Sequence, residues 1–278
     1  MVAEGPTWRT LAGEAAAAGL GTQEIRWLTE HVSGEAVPDG VAPERLAEGF
    51  RALVARRLAG EPLQYVLGAW AFRGLDLLID RRVLIPRPET EWVVEQALGL
   101  VPATPDRELV AVDLGTGSGA IALSLAQERW PAVRVVATDA SPDAVAVARA
   151  NLAGLGRRGT LVELHIGSWW DAVPPEHRGE VDLVVSNPPY VAPGDDLPAE
   201  VRDWEPLDAL VPGPTGLEAI EVIVGGAGEW LRPGGWLVCE IGETQAAAVT
   251  DLAKAAALRD VEVKPDLAGK DRILIARR

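Results

Sequence analysis

From about residue 108 onward, short apolar runs alternate with segments of helical periodicity, and this alternation restricts the fold more than any other feature. Residues 109–113, 133–138, 161–166, 181–185 and 236–241 read as buried strands. Residues 120–127, 142–153, 217–231 and 244–257 read as helices. Such a pattern predicts a mostly parallel sheet wrapped by helices on both faces, an α/β class. Two further short runs, 261–263 and 273–275, are joined by a short loop, which predicts an antiparallel pair.

The chain before that point reads differently. Residues 1–68 form a helical domain: Thr7 can cap one helix that Gly19 stops, Thr22 can start a second that ends at Gly34, and Pro43 suits the first turn of a third that Gly60 closes. Its role is docking of a partner or capping of the larger domain; the sequence leaves both open. The stretch 61–68 is expected to break the helix. Residues 69–91 form an extended or hairpin linker, with 75–83 extended, followed by Pro86-Arg87-Pro88-Glu89-Thr90-Glu91, in which Pro88 can open a helix. Arg87 and Glu89 either brace a loop, contact a substrate or form a structural ion pair. Residues 92–278 carry the α/β domain.

Chemistry is expected where strand 181–185 gives way to Ser186-Asn187-Pro188-Pro189-Tyr190. Ligands of open α/β sheets bind outside the carboxyl ends of strands. Pro188 and Pro189 fix their own φ, restrict the residues before them and donate no N–H, so the carbonyls there can face a ligand as acceptors. Asn187 adds a side-chain carbonyl, and Tyr190 a flat face. Together they suit a planar, neutral amine or amide nitrogen held by its two hydrogens. The bland alternative is a proline-stiffened turn after a core strand.

A second site candidate follows the first strand: Asp113-Leu114-Gly115-Thr116-Gly117-Ser118-Gly119. Glycines there let a ligand approach the backbone. Asp139, 20 residues past Gly119, ends the next strand, where an acid can accept the ribose hydroxyls of a nucleoside. The spacing differs from the dinucleotide-binding fingerprint, and no Lys follows Gly119, which excludes a P-loop.

A net charge of −15 argues against duplex nucleic acid as the main partner and suits a basic protein partner. Arg51, Arg56 and Arg57 read as a solvated helix face. Cys239 is the only cysteine, so neither a disulfide nor a cysteine-based metal site can form. His31, His165 and His177 show no metal-ligand spacing, and no metal is expected. No apolar run spans a bilayer and no secretory leader is expected, so the reading is cytoplasmic, with no membrane partner.

The ordered set of Asp113, the Gly115–Gly119 turn, Asp139 and Asn187-Pro188-Pro189-Tyr190 resembles class I S-adenosylmethionine-dependent methyltransferases acting on nitrogen. The flanks narrow this. Residues 60–68, 84–91, 113–121 and 185–190, then Glu205-Pro206 and 266–272, resemble the peptide chain release factor N5-glutamine methyltransferases, the PrmC/HemK family. That resemblance implies a Rossmann-like, mostly parallel seven-stranded sheet with an antiparallel last strand, plus a small N-terminal all-α domain. It implies methyl transfer from S-adenosyl-L-methionine, with S-adenosyl-L-homocysteine as product, to the glutamine of the Gly-Gly-Gln motif of class I release factors. Gly115, Thr116, Gly117, Ser118, Gly119, Asp139, Trp169 and Asn187 would contact the cofactor, and Asn187, Pro188, Pro189 and Tyr190 would grip the glutamine. Many relatives carry an acid where this chain has Ser168, before Trp169-Trp170, so either tryptophan can line the adenine site or simply pack.

Overall fold

A computed structural model describes residues 5–101 and 107–278. The chain forms two compact units, residues 1–69 with 197–204, and residues 70–196 with 205–278. In the first unit, α1 (Trp8–Ala17), α2 (Thr22–Ser33) and α3 (Glu44–Leu58) pack around Leu11, Leu28 and Phe50, with Trp8 edge-on to Phe50. Thr7 Oγ1 caps α1 by accepting from the Thr10 N–H. Gly34 ends α2 in the left-handed conformation.

The stretch 61–68 breaks α3, which ends at Leu58, and then holds a short helix of its own, α4 (Leu63–Leu67). Pro62 stands at its N-cap, and Arg56 donates to the Tyr65 and Val66 carbonyls at its far end. Of the three arginines of α3, Arg51 and Arg56 do lie exposed on a solvated face, Arg51 paired with Glu14, and Arg57 does not. Arg56 pairs with Glu61, and Arg57, with its side chain only 19% exposed, pairs with Glu24 of α2 and with Glu200.

The second unit begins within a hairpin, β1 (Ala69–Phe72) and β2 (Leu75–Leu78), inside the 69–91 stretch expected to be extended or a hairpin; the run expected over 75–83 ends at Leu78. Then follow α5 (Pro88–Leu100), β3 (Leu109–Leu114), α6 (Ala120–Arg129), β4 (Val133–Asp139), α7 (Pro142–Gly154), β5 (Val162–Ile166) and β6 (Val181–Ser186). The short α8 (Ala199–Arg202) belongs to the first unit; α9 (Glu218–Trp230), β7 (Leu231–Glu240), α10 (Ala246–Ala255), β8 (Arg259–Pro265) and β9 (Asp271–Arg277) complete the second.

The main sheet has seven strands in the order β5-β4-β3-β6-β7-β9-β8. β3 to β7 run parallel, while β9 is antiparallel to both β7 and β8. This is the class I methyltransferase arrangement, and the two last strands are longer than their apolar centres indicated. Strand order reverses at β3, which pairs with β4 on one side and β6 on the other. Such a switch point opens a crevice at the carboxyl ends of the strands. Leu114 lies opposite Ser186 in the β3/β6 ladder, so Gly115 and Asn187 leave the sheet side by side. No described helix is long and apolar enough to cross a membrane.

Candidate active site

The glycine turn is held open from both ends. The Thr138 carbonyl accepts the N–H groups of Gly115 and Thr116, both at 2.9 Å. Asp113 Oδ2 accepts the Thr116 hydroxyl at 2.6 Å and the Ala122 N–H at 3.1 Å, so the strand-end acid ties the turn to the first turn of α6. Asp113 is fully buried; desolvation pushes its carboxyl up to about 7, against these two hydrogen bonds, and its Oδ1 finds no hydrogen-bond partner. Asp139 Oδ2 accepts the Gly117 N–H at 2.8 Å and Oδ1 the Ser141 N–H at 2.9 Å. Burial raises the Asp139 carboxyl above the ordinary carboxylate range, opposed by these same two bonds.

A cleft of about 630 Å³ lies against this turn. Gly115, Thr116, Gly117, Ser118, Asp139, Trp169, Asn187 and Pro189 line it; Gly119, Pro188 and Tyr190 do not. Gly117 has φ +55°, and a Cβ there would project into open space. At Gly115, φ +74°, a Cβ would stand 3.3 Å from the Trp169 ring. Gly115 thus lets the Trp169 indole lie close against the turn, while the space in front of Gly117 stays open. Gly119 serves the turn itself: its N–H donates to the Thr116 carbonyl.

The tryptophan pair divides. Trp169, held at φ +46°, lines the cleft. Trp170 is in the core, stacked on Trp230 at 5.7 Å and 10°, with its Nε1–H donated to the Val222 carbonyl at 3.0 Å. The separation follows from the left-handed backbone at Trp169, which turns two adjacent indoles to different sides.

The loop after β6 is anchored by a buried network. Asn187 Nδ2 donates to Thr90 Oγ1 at 3.0 Å, and Thr90 Oγ1 donates to Glu240 Oε2 at 2.7 Å. The Tyr190 hydroxyl donates to Glu240 Oε1 at 3.1 Å. Desolvation pushes the Glu240 carboxyl up to about 7, opposed by those two hydroxyls and by Arg272. Burial, then the Glu240 charge, raises the Tyr190 phenol. The Arg272 guanidinium lies 5.9 Å from the Tyr190 ring centroid. Gln245 Nε2 donates to the Tyr190 carbonyl at 3.0 Å and to the Gly216 carbonyl at 3.1 Å. Tyr190 is therefore a post that fixes the loop, with its hydroxyl turned to Glu240 rather than into the cleft. Pro188 is buried. Among the described residues no backbone N–H donates to the carbonyls of Pro188 or Pro189.

Arg87 pairs with the buried Glu205, whose Oε2 also accepts the Ile85 N–H at 3.1 Å. This ties the Pro86–Pro88 connector to the segment whose Pro206, Asp208 and Ala209 line the cleft. Glu89 is exposed. Among the described residues no cluster of His, Cys, Asp or Glu could hold a metal ion. Reading the sequence for chemistry passed over Glu240 and Gln245 and took Thr90 and Glu205 only as flanking words. The available signal was an acid closing the apolar run Trp236-Leu237-Val238-Cys239 at a strand end.

The family model described as Methyltransferase small domain matches residues 98–201, and that described as PrmC N-terminal domain matches residues 17–68. The chain is 46% identical to the release factor glutamine methyltransferase of Cereibacter sphaeroides over 87% of this chain and 83% of that protein. It is 43% identical to that of Bordetella pertussis, over 92% and 94%. A Pyrococcus furiosus methyltransferase has a similar structure, with a TM-score of 0.53 at 22% identity, over 80% of this chain and 96% of that one. The N-terminal domain of human METTL16, solved in complex with SAH, gives 0.54 at 17%, over 99% and 94%. At such identities the two structures speak to the fold alone.

Proposed function

The chain belongs to the release factor glutamine methyltransferase family, and from that premise we propose that it methylates the side-chain amide nitrogen, N5, of a release factor glutamine. The methyl donor is S-adenosylmethionine and the product S-adenosylhomocysteine. The glutamine is that of the Gly-Gly-Gln motif in class I release factors, and the modification supports translation termination in the cytoplasm. The net charge of −15 disfavours nucleic acid as a direct partner.

One observation carries the reading. The glycine turn and the Asn187–Pro189 loop emerge from adjacent strands into one cleft, with the Asn187 amide already oriented by Thr90. A donor and an acceptor of a methyl group can therefore meet there.

The residues present fit the cofactor. The open space in front of Gly117, in the cleft that Gly115 also lines, admits a chain against the backbone. Asp139, at the cleft wall, retains lone pairs beyond its two backbone bonds and is placed for a ribose diol. Trp169 offers a ring face to the adenine. Bound there, the cofactor supplies an electrophilic methyl on a sulfonium sulfur.

The protein's task is to present a poor nucleophile. An amide nitrogen shares its lone pair with its carbonyl, so attack requires orientation and support for developing positive charge. Asn187 Oδ1, on the cleft wall, accepts one amide hydrogen, and the carbonyl of Pro188, a buried residue behind that wall whose oxygen no described backbone N–H takes, accepts the other. Both acceptors favour the charge that grows on nitrogen, and Pro188 and Pro189 hold them stiffly. The proton leaves after transfer, so no strong base is needed beforehand.

The test is transfer of radiolabelled methyl to a purified class I release factor, against its Gln→Ala form, a ribosomal protein and DNA. Label is expected on the intact release factor alone. Equal label on the Gln→Ala form, or preference for either other substrate, would overturn the assignment.

A further inference from the structure

Three elements meet at one buried carboxylate, and none needs it for its own folding. Glu240 ends β7, one residue past Cys239, which lies opposite Ser186 in the β6/β7 ladder. Thr90 is the third residue of α5, and its hydroxyl caps nothing: it donates to Glu240 Oε2 and accepts from Asn187. Tyr190 supplies the second donor, to Glu240 Oε1. Both ends of the Asn187–Tyr190 loop thus rest on one acid, which is 1% exposed.

The direction of these bonds matters more than their number. Once ionised, above about pH 7, the Glu240 carboxylate only accepts, so the Thr90 hydroxyl then gives its single hydrogen to Glu240. Thr90 Oγ1 is then left with acceptor capacity only. An amide side chain can present either its NH2 or its oxygen, and the two look alike in shape. Facing an acceptor, Asn187 must turn its NH2 to Thr90, and its Oδ1 faces the other way. Without that acceptor the amide is free to invert and offer N–H groups to a substrate that itself brings N–H groups.

We propose that Thr90 and Glu240 are positioning residues for methyl transfer, setting the hydrogen-bond polarity that points Asn187 Oδ1 at the substrate amide. The proposal rests on the amide-methylation reading above. It places specificity for an NH2-bearing substrate partly in two side chains outside the loop that grips it.

Thr90→Val removes the hydroxyl at nearly constant volume, and Thr90→Ser keeps it. Single-turnover methylation of the release factor, KM for that substrate, and cofactor binding by calorimetry are measured on all three proteins. The wild-type rate tests the underlying reading: no methyl on the release factor sinks that first. Given wild-type transfer, Thr90→Val is expected to lose roughly 10- to 100-fold in rate, with cofactor affinity within about threefold and the release factor KM changed little; Thr90→Ser is expected to recover most of the rate. A Thr90→Val rate near wild type overturns the proposal. So does a loss shared equally by cofactor affinity, KM and rate, or one that Thr90→Ser does not recover, since each marks a packing role. If Thr90→Val does not fold, Thr90→Ala removes the same hydroxyl without placing a methyl against the carboxylate, and the same outcomes decide.

Discussion

Asn187 shows how one side chain can matter to chemistry without mattering to assembly. It is half-buried, one Nδ2 hydrogen is given to Thr90, and its Oδ1 is left free to accept from a ligand. The proposed cofactor site rests on other groups, chiefly the backbone at Gly115 and Gly117 and the Asp139 carboxylate. Asn187→Ala should therefore lower single-turnover transfer by roughly 100-fold or more, the scale of losing one preorganised polar group aimed at developing charge. Cofactor affinity should change by no more than a few fold. A variant that transfers methyl at near the wild-type rate would refute the amide grip.

At the level of elements, α9 is fitted closely to the tryptophan it covers. A Cβ at Gly226 would overlap the Trp170 indole, which also stacks on Trp230 and donates to Val222 of the same helix. Gly226→Ala should destabilise the fold by about 1–3 kcal/mol through overpacking, read as a lower urea midpoint at unchanged slope; an unchanged midpoint would show that the helix can shift freely. The parallel sheet was legible because apolar runs and helical spacing are local properties. The β1–β2 hairpin was legible only as an extended or hairpin stretch, without its turn. Its turn uses Arg73 at φ +45° before Gly74, where Asn or Asp would have advertised it. Arg73 is held there by distant groups: the Glu91 carboxylate accepts its N–H, and Glu95 and Glu128 take its guanidinium. The site divides in the same way. The residues flanking β3 and β6 stand together in sequence, whereas Glu240 meets Thr90 across 150 residues, a pairing that exists only once β7 lies beside β6.

For the molecule as a whole, opposing titrations set where it is most stable. Asp113 and Glu240, raised to about 7 by burial, bind more protons folded than unfolded between roughly pH 4 and 7. Their contribution is complete below the unfolded pKa values and is lost as pH rises through 7. Glu24, Asp80 and Asp266 are lowered: burial raises Glu24 and Asp266 but their hydrogen bonds outweigh it, and Arg82 holds Asp80 down. Their contribution is lost as pH falls below about 4. A net charge of −15 adds self-repulsion at neutral pH. The thermal midpoint should therefore peak at about pH 4–4.5, decline from there to about pH 7 and level off above it, and Glu240→Gln should flatten that decline. A midpoint that climbs steadily to pH 8 would contradict this balance.

The order β7-β9-β8 also sets a timetable for the growing polypeptide. β8 has no neighbour in the sheet except β9, so the two must dock as a hairpin after β7 is in place. Arg272, which reaches the Ile241 carbonyl and stands over the Tyr190 ring, arrives with β9. The Asn187–Tyr190 loop therefore lacks its Arg272 brace in any chain in which β9 has not docked. Ripening of the catalytic centre and closure of the sheet are one event.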